Sequence, residues 1–283
     1  MILVTASTGK LGHHVIKHLL HRVPASEIVA GVRNRQKAKE FSDKGIELRE
    51  LDYSKASTIA DALNGVDKVL LISGNEGERV AGHKAVIDAA KKAGVKLLVY
   101  TSALNADSGK TLIHADHKAT ETLIRESGIP YVFLRNGWYV ENYTDNVGPT
   151  LEHGAMFGAT KDAKFSPAPR EEYAEAAAIV LTTTGHLNKE YELAGDTQVS
   201  HSEIAAEIAR ASNKPVKYND LSETDFKAML EKVGLPSGLA TLFADADAGL
   251  ARGELTSTSK DLSTLIGRPT TPLGKAIDNA LKR

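Results

Sequence analysis

The first residues able to do chemistry lie at positions 6–12, Ala6-Ser7-Thr8-Gly9-Lys10-Leu11-Gly12, after the apolar run Ile2-Leu3-Val4-Thr5. A helical stretch follows at once. Such a turn points backbone N–H groups and the positive end of a helix at an anion. Gly9 and Gly12 let the backbone approach a pyrophosphate and let the helix pack close on the strand. A glycine turn can also serve packing alone. Its place after the first strand and before the first helix favours the dinucleotide reading. Glycine is usual at position 6 of such a motif, and Ala6 fits there with a negative φ.

Arg33 stands twenty-one residues beyond Gly12, where the run Ile28–Val32 ends. An NAD site places an acidic side chain near there to accept from the ribose 2′-hydroxyl. A guanidinium instead grips a 2′-phosphate bidentately. Arg35 and Lys37 add positive potential, so the expected cofactor is NADPH.

Metal chemistry finds little support. His14 and His18 have a shared-ligand spacing, yet no glutamate follows the first and no third ligand lies nearby. That stretch reads as a solvated face with Leu11, Val15 and Leu19 turned inward. His114, Asp116 and His117 also read as non-metal. Cysteine is absent, which removes thiolate nucleophiles, disulfides and iron–sulfur ligation.

The elements that must position these residues alternate. Strands are predicted at Ile2–Thr5, Ile28–Val32, Ile46–Leu51, Val69–Ile72, Leu97–Tyr100 and Tyr131–Leu134. Helical stretches separate them, through about Arg22, then Lys37–Lys44, Ser57–Leu63, Arg79–Lys92 and around Lys118–Glu126. Near-continuous apolar strands alternating with helices imply a parallel sheet covered on both faces. After Arg135 the rhythm changes: a helix at Glu171–Thr182, a strand at Tyr191–Ala194, and a mostly helical reading from about Ser200. The expected fold is α/β, a doubly wound, Rossmann-like parallel sheet with a smaller, mainly helical C-terminal cap. Residues 1–135 would form the dinucleotide-binding core. Residues 136–283 would complete the sheet and form the substrate-binding cap.

The chain has 283 residues, 42% of them hydrophobic and 25% charged, with a formal charge of −1. That balance argues against a dedicated nucleic-acid binder. No run approaches the ~20 apolar residues of a membrane span. Met1–Thr5 has no charged leader or cleavage site and reads as a strand rather than a signal peptide, so a cytoplasmic location is expected.

The motifs Thr8-Gly9-Lys10-Leu11-Gly12, Val32-Arg33-Asn34, Asp52-Tyr53 and Leu134-Arg135-Asn136-Gly137-Trp138-Tyr139-Val140-Glu141-Asn142 resemble the NmrA-like, atypical branch of the short-chain dehydrogenases. Within that branch the chain is most similar to quinone-reducing members, with triphenylmethane dye reductases next. The likeness covers nearly the whole chain. It implies that Ser73-Gly74-Asn75 lies beside the adenosine and pyrophosphate, and that Gly137–Asn142 runs along the nicotinamide. Arg170 and Tyr173 would approach the same cofactor, and Asp52-Tyr53 would flank the adenine. Trp138, Tyr139, Asn142 and Phe157 would line the acceptor pocket, with Trp138 stacking on a flat ring. Tyr139 and Asn142 would thus serve cofactor and acceptor alike.

Ordinary short-chain dehydrogenases pair Tyr with Lys four residues later, and none of the eight tyrosines here has that partner. A quinone needs less: hydride delivery gives a stabilised hydroquinone anion whose proton can come from water. His117 occupies the place where many members carry a lysine. It could orient the nicotinamide ribose or donate a proton, or it could be a buried imidazole satisfied by hydrogen bonds. The expected function is flavin-free, metal-free reduction of quinones by NADPH. The alternatives are a dye or azo reductase and an NADP-binding redox sensor without turnover. A monomer or a homodimer would be compatible with the resemblance.

Overall fold

The computed structural model describes residues 1–74, 78–145 and 147–282. The strands are β1 (Ile2–Val4), β2 (Ile28–Val32), β3 (Glu47–Glu50), β4 (Lys68–Leu71), β5 (Leu97–Ala103), β6 (Tyr131–Asn136), β7 (Ala155–Gly158), β8 (Lys189–Leu193) and β9 (Lys217–Asp220). The helices early in the chain are α1 (Lys10–Leu20), α2 (Lys39–Ser42), α3 (Ala56–Ala62), α4 (Arg79–Ala93) and α5 (Leu112–Ser127). They continue with α6 (Glu141–Thr144), α7 (Val147–His153), α8 (Arg170–Thr182) and α9 (His201–Ser212). The last are α10 (Glu223–Lys232), α11 (Ser237–Ala251), α12 (Asp261–Ile266) and α13 (Leu273–Leu281).

Two compact units divide the chain. The first comprises Met1–Ser102, Asp116–Asn136 and Glu171–Tyr191; the second comprises Ala103–Ala115, Gly137–Arg170 and Glu192–Arg283. The chain crosses between the units after Asn136. It also crosses elsewhere, because Glu171–Thr182 packs back onto the first unit. Within that unit Lys17 Nζ meets Glu171 Oε1 at 3.1 Å, and Lys68 Nζ donates to the Leu181 carbonyl at 2.6 Å.

The first unit is built on a seven-stranded sheet in the order β3-β2-β1-β4-β5-β6-β8. Pairing is parallel between β1 and β2, β1 and β4, β2 and β3, and β4 and β5. Every residue of β1, β2 and β5 is buried, as strands covered on both faces require. Leu3, Val29, Val69, Leu98 and Phe133 belong to one apolar core with Ile59, Val86 and Ile124 from the helices. Truncating Leu3 to alanine would cost about 2–5 kcal/mol of that packing. The strand order reverses between β1 and β4. At such a switch point the connections leave the sheet in opposite directions, which opens a crevice beyond the strands' carboxyl ends.

β6 is anchored by charge. Buried Arg135 grips buried Glu121 through Nε at 2.9 Å and Nη2 at 2.7 Å, and Ser102 Oγ donates to the same carboxylate at 2.7 Å. Arg135 therefore holds the sheet together at the start of the Arg-Asn-Gly-Trp-Tyr stretch.

The second unit has its own apolar core, in which Val140, Phe165, Ile204, Leu250 and Ile277 meet. Its helices match the helical reading after Ser200, and α9 opens with a capping box between Ser200 and Glu203. The sequence missed the parallel pair β7 and β9. β9, Lys217-Tyr218-Asn219-Asp220, is polar and mostly exposed, so no apolar pattern announces it. Pairing with β7 makes it a strand.

Candidate functional site

The β1–α1 turn is tightly tied. Ser7 N donates to the Gly31 carbonyl at 3.2 Å, and Gly9 N donates to the Ala6 carbonyl at 2.9 Å. The Ser7 hydroxyl is buried and donates to the Val4 carbonyl at 2.6 Å, so this residue offers a ligand only its backbone. Thr8, Gly9 and Lys10 are exposed, whereas Leu11 packs inward. Gly9 is the N-cap of α1 and provides no side-chain cap, which leaves the first-turn N–H groups without an acceptor from that residue. A Cβ on Gly12 would lie 2.5 Å from the Ala6 oxygen and 2.8 Å from Ser7 Cα. This is the close strand–helix approach that a pyrophosphate turn needs.

Ala6 departs from expectation. Its φ is +47°, in the left-handed region, not negative. The turn requires it: the Ala6 carbonyl must face both Gly9 N–H and the underside of α1. A methyl group there stores about 1–2 kcal/mol of strain.

Arg33 follows β2 and is exposed. Next to it Asn34 Oδ1 accepts from Gln36 N at 2.9 Å, which starts a short helical turn holding exposed Arg35 and Lys37. Asp52 accepts from both Ser54 N and Ser54 Oγ, which together with Lys55 and Arg33 hold its carboxyl below the usual range. Asp52 thus behaves as a turn cap. Tyr53 directs its hydroxyl inward, 2.6 Å from Thr5 Oγ1 and 2.7 Å from the Ile72 carbonyl. Ser73 and Gly74 follow β4; Ser73 N donates to Thr101 Oγ1 at 2.9 Å, and Gly74 faces the Tyr53 ring. Asn75 lies outside the described residues. The turn, Arg33, Ser73 and Gly74 all leave carboxyl ends of neighbouring parallel strands, so the fold gathers them on one sheet edge. These residues fit a dinucleotide phosphate.

His117, on α5, is 6% exposed, and its Nδ1 lies 2.7 Å from the Tyr100 hydroxyl. Tyr100 is fully buried on β5, and burial pushes its hydroxyl far above the ordinary tyrosine range. Tyr173 is also buried, at 1% exposure.

In the second unit, residues 137–142 form a clamped strap. Gly137 N donates to the Leu193 carbonyl, Ala168 N to the Trp138 carbonyl, and Val140 N to the Ala168 carbonyl. Trp138 is partly buried and packs on this unit's apolar core; Val140 is buried in it. The Arg170 guanidinium lies over the Tyr139 ring, 5.1 Å from its centroid, and Nη1 meets Asp145 Oδ2 at 3.2 Å. Arg170 N donates to both Glu141 oxygens at 3.0 and 2.9 Å. Burial raises the Glu141 carboxyl above its usual range, against the Arg170 N–H. Arg170, Tyr139 and Glu141 thus share one network. Asn142 is exposed, as is Phe157 between buried Met156 and Gly158 on β7.

One cluster escaped the sequence. His201 Nδ1 lies 3.2 Å from Thr160 Oγ1, which is 2.9 Å from the Tyr218 hydroxyl. Asp247 accepts from Ala159 N at 2.9 Å. Burial lowers His201 to about 4 and raises Asp247 to about 7. Asp247 sits in an alanine-rich run next to half-buried Asp245, and nothing in the run marks which of the two is buried.

Among the described residues no three His, Cys, Asp or Glu side chains gather so as to hold a metal ion. None of their helices is long and apolar enough to cross a membrane.

The NAD(P)H-binding family profile matches residues 6–184. The chain is 48% identical over 280 residues to quinone oxidoreductase 2 of Escherichia coli strain K12, covering 99% of this chain and 98% of that one. A solved Escherichia coli NADPH-dependent quinone oxidoreductase complexed with NADPH superposes with a TM-score of 0.95 at 48% identity, covering 99% of this chain and all of that one. The Citrobacter triphenylmethane reductase complexed with NADP(H) gives 0.93 at 37% identity, covering 99% and 100%. With its strand order reversing at a glycine-backed turn and this likeness over its full length, the chain belongs to the NAD(P)H-binding family of NmrA-like, atypical short-chain dehydrogenases.

Proposed function

We propose that this protein is an NADPH-dependent quinone reductase that uses neither flavin nor metal. The observation that carries the reading is Arg33 at the end of β2, beside a glycine-backed turn, in a chain 48% identical to a quinone oxidoreductase. NADPH, when bound, supplies the hydride that reduces the quinone.

The chain's own residues bind and orient. The backbone of Ala6, Ser7, Thr8, Gly9, Lys10 and Leu11, with the N-terminal end of α1, receives the pyrophosphate. Arg33 receives the 2′-phosphate bidentately. Ser73, Gly74 and Asn75 serve the adenosine side. Gly137–Asn142, Arg170 and Tyr173 serve the nicotinamide side, where the Arg170 network keeps Tyr139 and Glu141 in place. Trp138, Tyr139, Asn142 and Phe157 offer the acceptor an apolar face and a hydrogen-bond partner. His117 holds a proton or orients the ribose. A small planar acceptor rather than nucleic acid suits the formal charge of −1, and the cytoplasm is the proposed location.

Purified protein with no added flavin, mixed with NADPH and a series of small quinones, is expected to oxidise NADPH saturably and in proportion to quinone. Tight NADPH binding with no quinone-dependent oxidation would replace this reading with a redox sensor. Faster oxidation with triphenylmethane or azo dyes than with any quinone would move the acceptor class.

A further inference from the structure

We propose that Tyr100 is a positioning residue for His117: its phenol donates to Nδ1, so the neutral imidazole carries its hydrogen on Nε2. This rests on the reading of His117 as a group that serves the reduction.

The two side chains come from β5 and α5, seventeen residues apart, and both lie within the first unit. Their 2.7 Å hydrogen bond is buried, with Tyr100 at 0% and His117 at 6% exposure. A neutral imidazole has one donor and one acceptor nitrogen, and the bond made by one decides the state of the other. The pyridine-type nitrogen of imidazole is a stronger base than a phenol oxygen, so O–H···N is the favoured arrangement. Burial keeps the Tyr100 proton in place, and the Thr120 hydroxyl is the phenol's other hydrogen-bond partner.

The surroundings hold the phenol still. His83 packs edge-on against the Tyr100 ring at 5.5 Å and Phe133 does so at 6.4 Å, while His117 lies tilted at 5.7 Å. The Thr120 hydroxyl donates to the Asp116 carbonyl at 2.9 Å, which spends its one hydrogen. It must therefore accept from His83 Nδ1, 3.0 Å away. His83 is fully buried, and burial lowers it to about 4, so it stays neutral. A rigid, neutral, hydrogen-bonded set thus backs His117 and presents Nε2–H as a fixed donor. A donor held in one tautomer can serve a ribose hydroxyl or an acceptor oxygen without reorganising.

The test is spectroscopic first. Full-length protein labelled with ¹⁵N-histidine gives long-range proton–nitrogen correlations, and loss of one ring in His117→Gln assigns them. The proposal expects Nδ1 unprotonated and Nε2 protonated at neutral pH, and a mixed tautomer in Tyr100→Phe. A proton on Nδ1 of the unmodified protein, with Tyr100 donating to Thr120 instead, would overturn it, and that readout needs no variant and no turnover. In kinetics, Tyr100→Phe is expected to lower kcat about tenfold with NADPH affinity unchanged. The same change in a His117→Gln background is expected to have no further effect on kcat. Independent, additive losses would also overturn the proposal. An unmodified protein that oxidises no NADPH with any quinone would fail the proposed function, while the tautomer still decides the role of Tyr100.

Discussion

Gly12 lies so close to Ala6 that a Cβ at position 12 would stand 2.5 Å from the Ala6 carbonyl oxygen, and Ala6 itself is held at a φ of +47°. The two residues shape one turn from opposite sides. Gly12→Ala must push α1 off the turn, at about 1–3 kcal/mol for overpacking. Ala6→Gly releases left-handed strain but frees the unfolded chain, for a net gain of about 0.5–1 kcal/mol. Urea unfolding of both variants checks the signs. A stabilised Gly12→Ala or a destabilised Ala6→Gly would contradict this description of the turn.

Arg33 should choose the cofactor. Arg33→Ala is expected to weaken NADPH binding by about 1.5–3 kcal/mol, the range for hydrogen bonds to a charged group. NADH binding should barely change. Calorimetric titration with both cofactors measures this, and equal losses would remove Arg33 from the 2′-phosphate.

Trp138 is the only tryptophan, so its emission is a private reporter of the strap at residues 137–142. Quinone binding is expected to quench it saturably. Trp138→Phe should weaken acceptor binding by about 0.5–1.5 kcal/mol if ring stacking contributes. Emission indifferent to every quinone would place the acceptor elsewhere.

The pH dependence of stability isolates Asp247. Folded, its carboxyl keeps its proton up to about pH 7; unfolded, it loses that proton near 3.8, the ordinary aspartate value. The unfolded chain therefore binds fewer protons between those values, and stability falls as pH rises through that window. The full loss is about 4 kcal/mol above pH 7. Asp247→Asn retains a carbonyl acceptor for Ala159 N–H and has nothing to ionise. It is expected to be more stable than the parent at pH 8 and to lack that slope in denaturant titrations from pH 4 to 8. An unchanged slope would mean that Asp247 is ionised in the fold.

Much of the first unit's fold was legible because it depends on local order. A strand, a glycine turn and a helix are contiguous, and Arg33 stands at the end of the next strand. The sheet could be read because β1, β2, β4, β5 and β6 are nearly continuous apolar runs. What stayed hidden was set by contacts between distant residues. Ala6 carries no mark of its left-handed backbone, which its neighbours impose. Tyr100 reads as one more core residue of β5, and only the packing of α5 brings His117 to its hydroxyl. β9 exists because β7 is there to pair with it. The Arg170–Glu141–Tyr139 network joins residues about thirty positions apart.

Transfer of reducing equivalents from NADPH to a quinone, with NADPH preferred through Arg33, can be read in one assay. The most direct measurement is kcat/KM for a small para-quinone with NADPH and with NADH, in protein shown to be free of flavin. Saturable turnover with both is expected, strongly favouring NADPH, with a preference that collapses in Arg33→Ala. No turnover, or equal efficiency with the two cofactors, would overturn the proposed function.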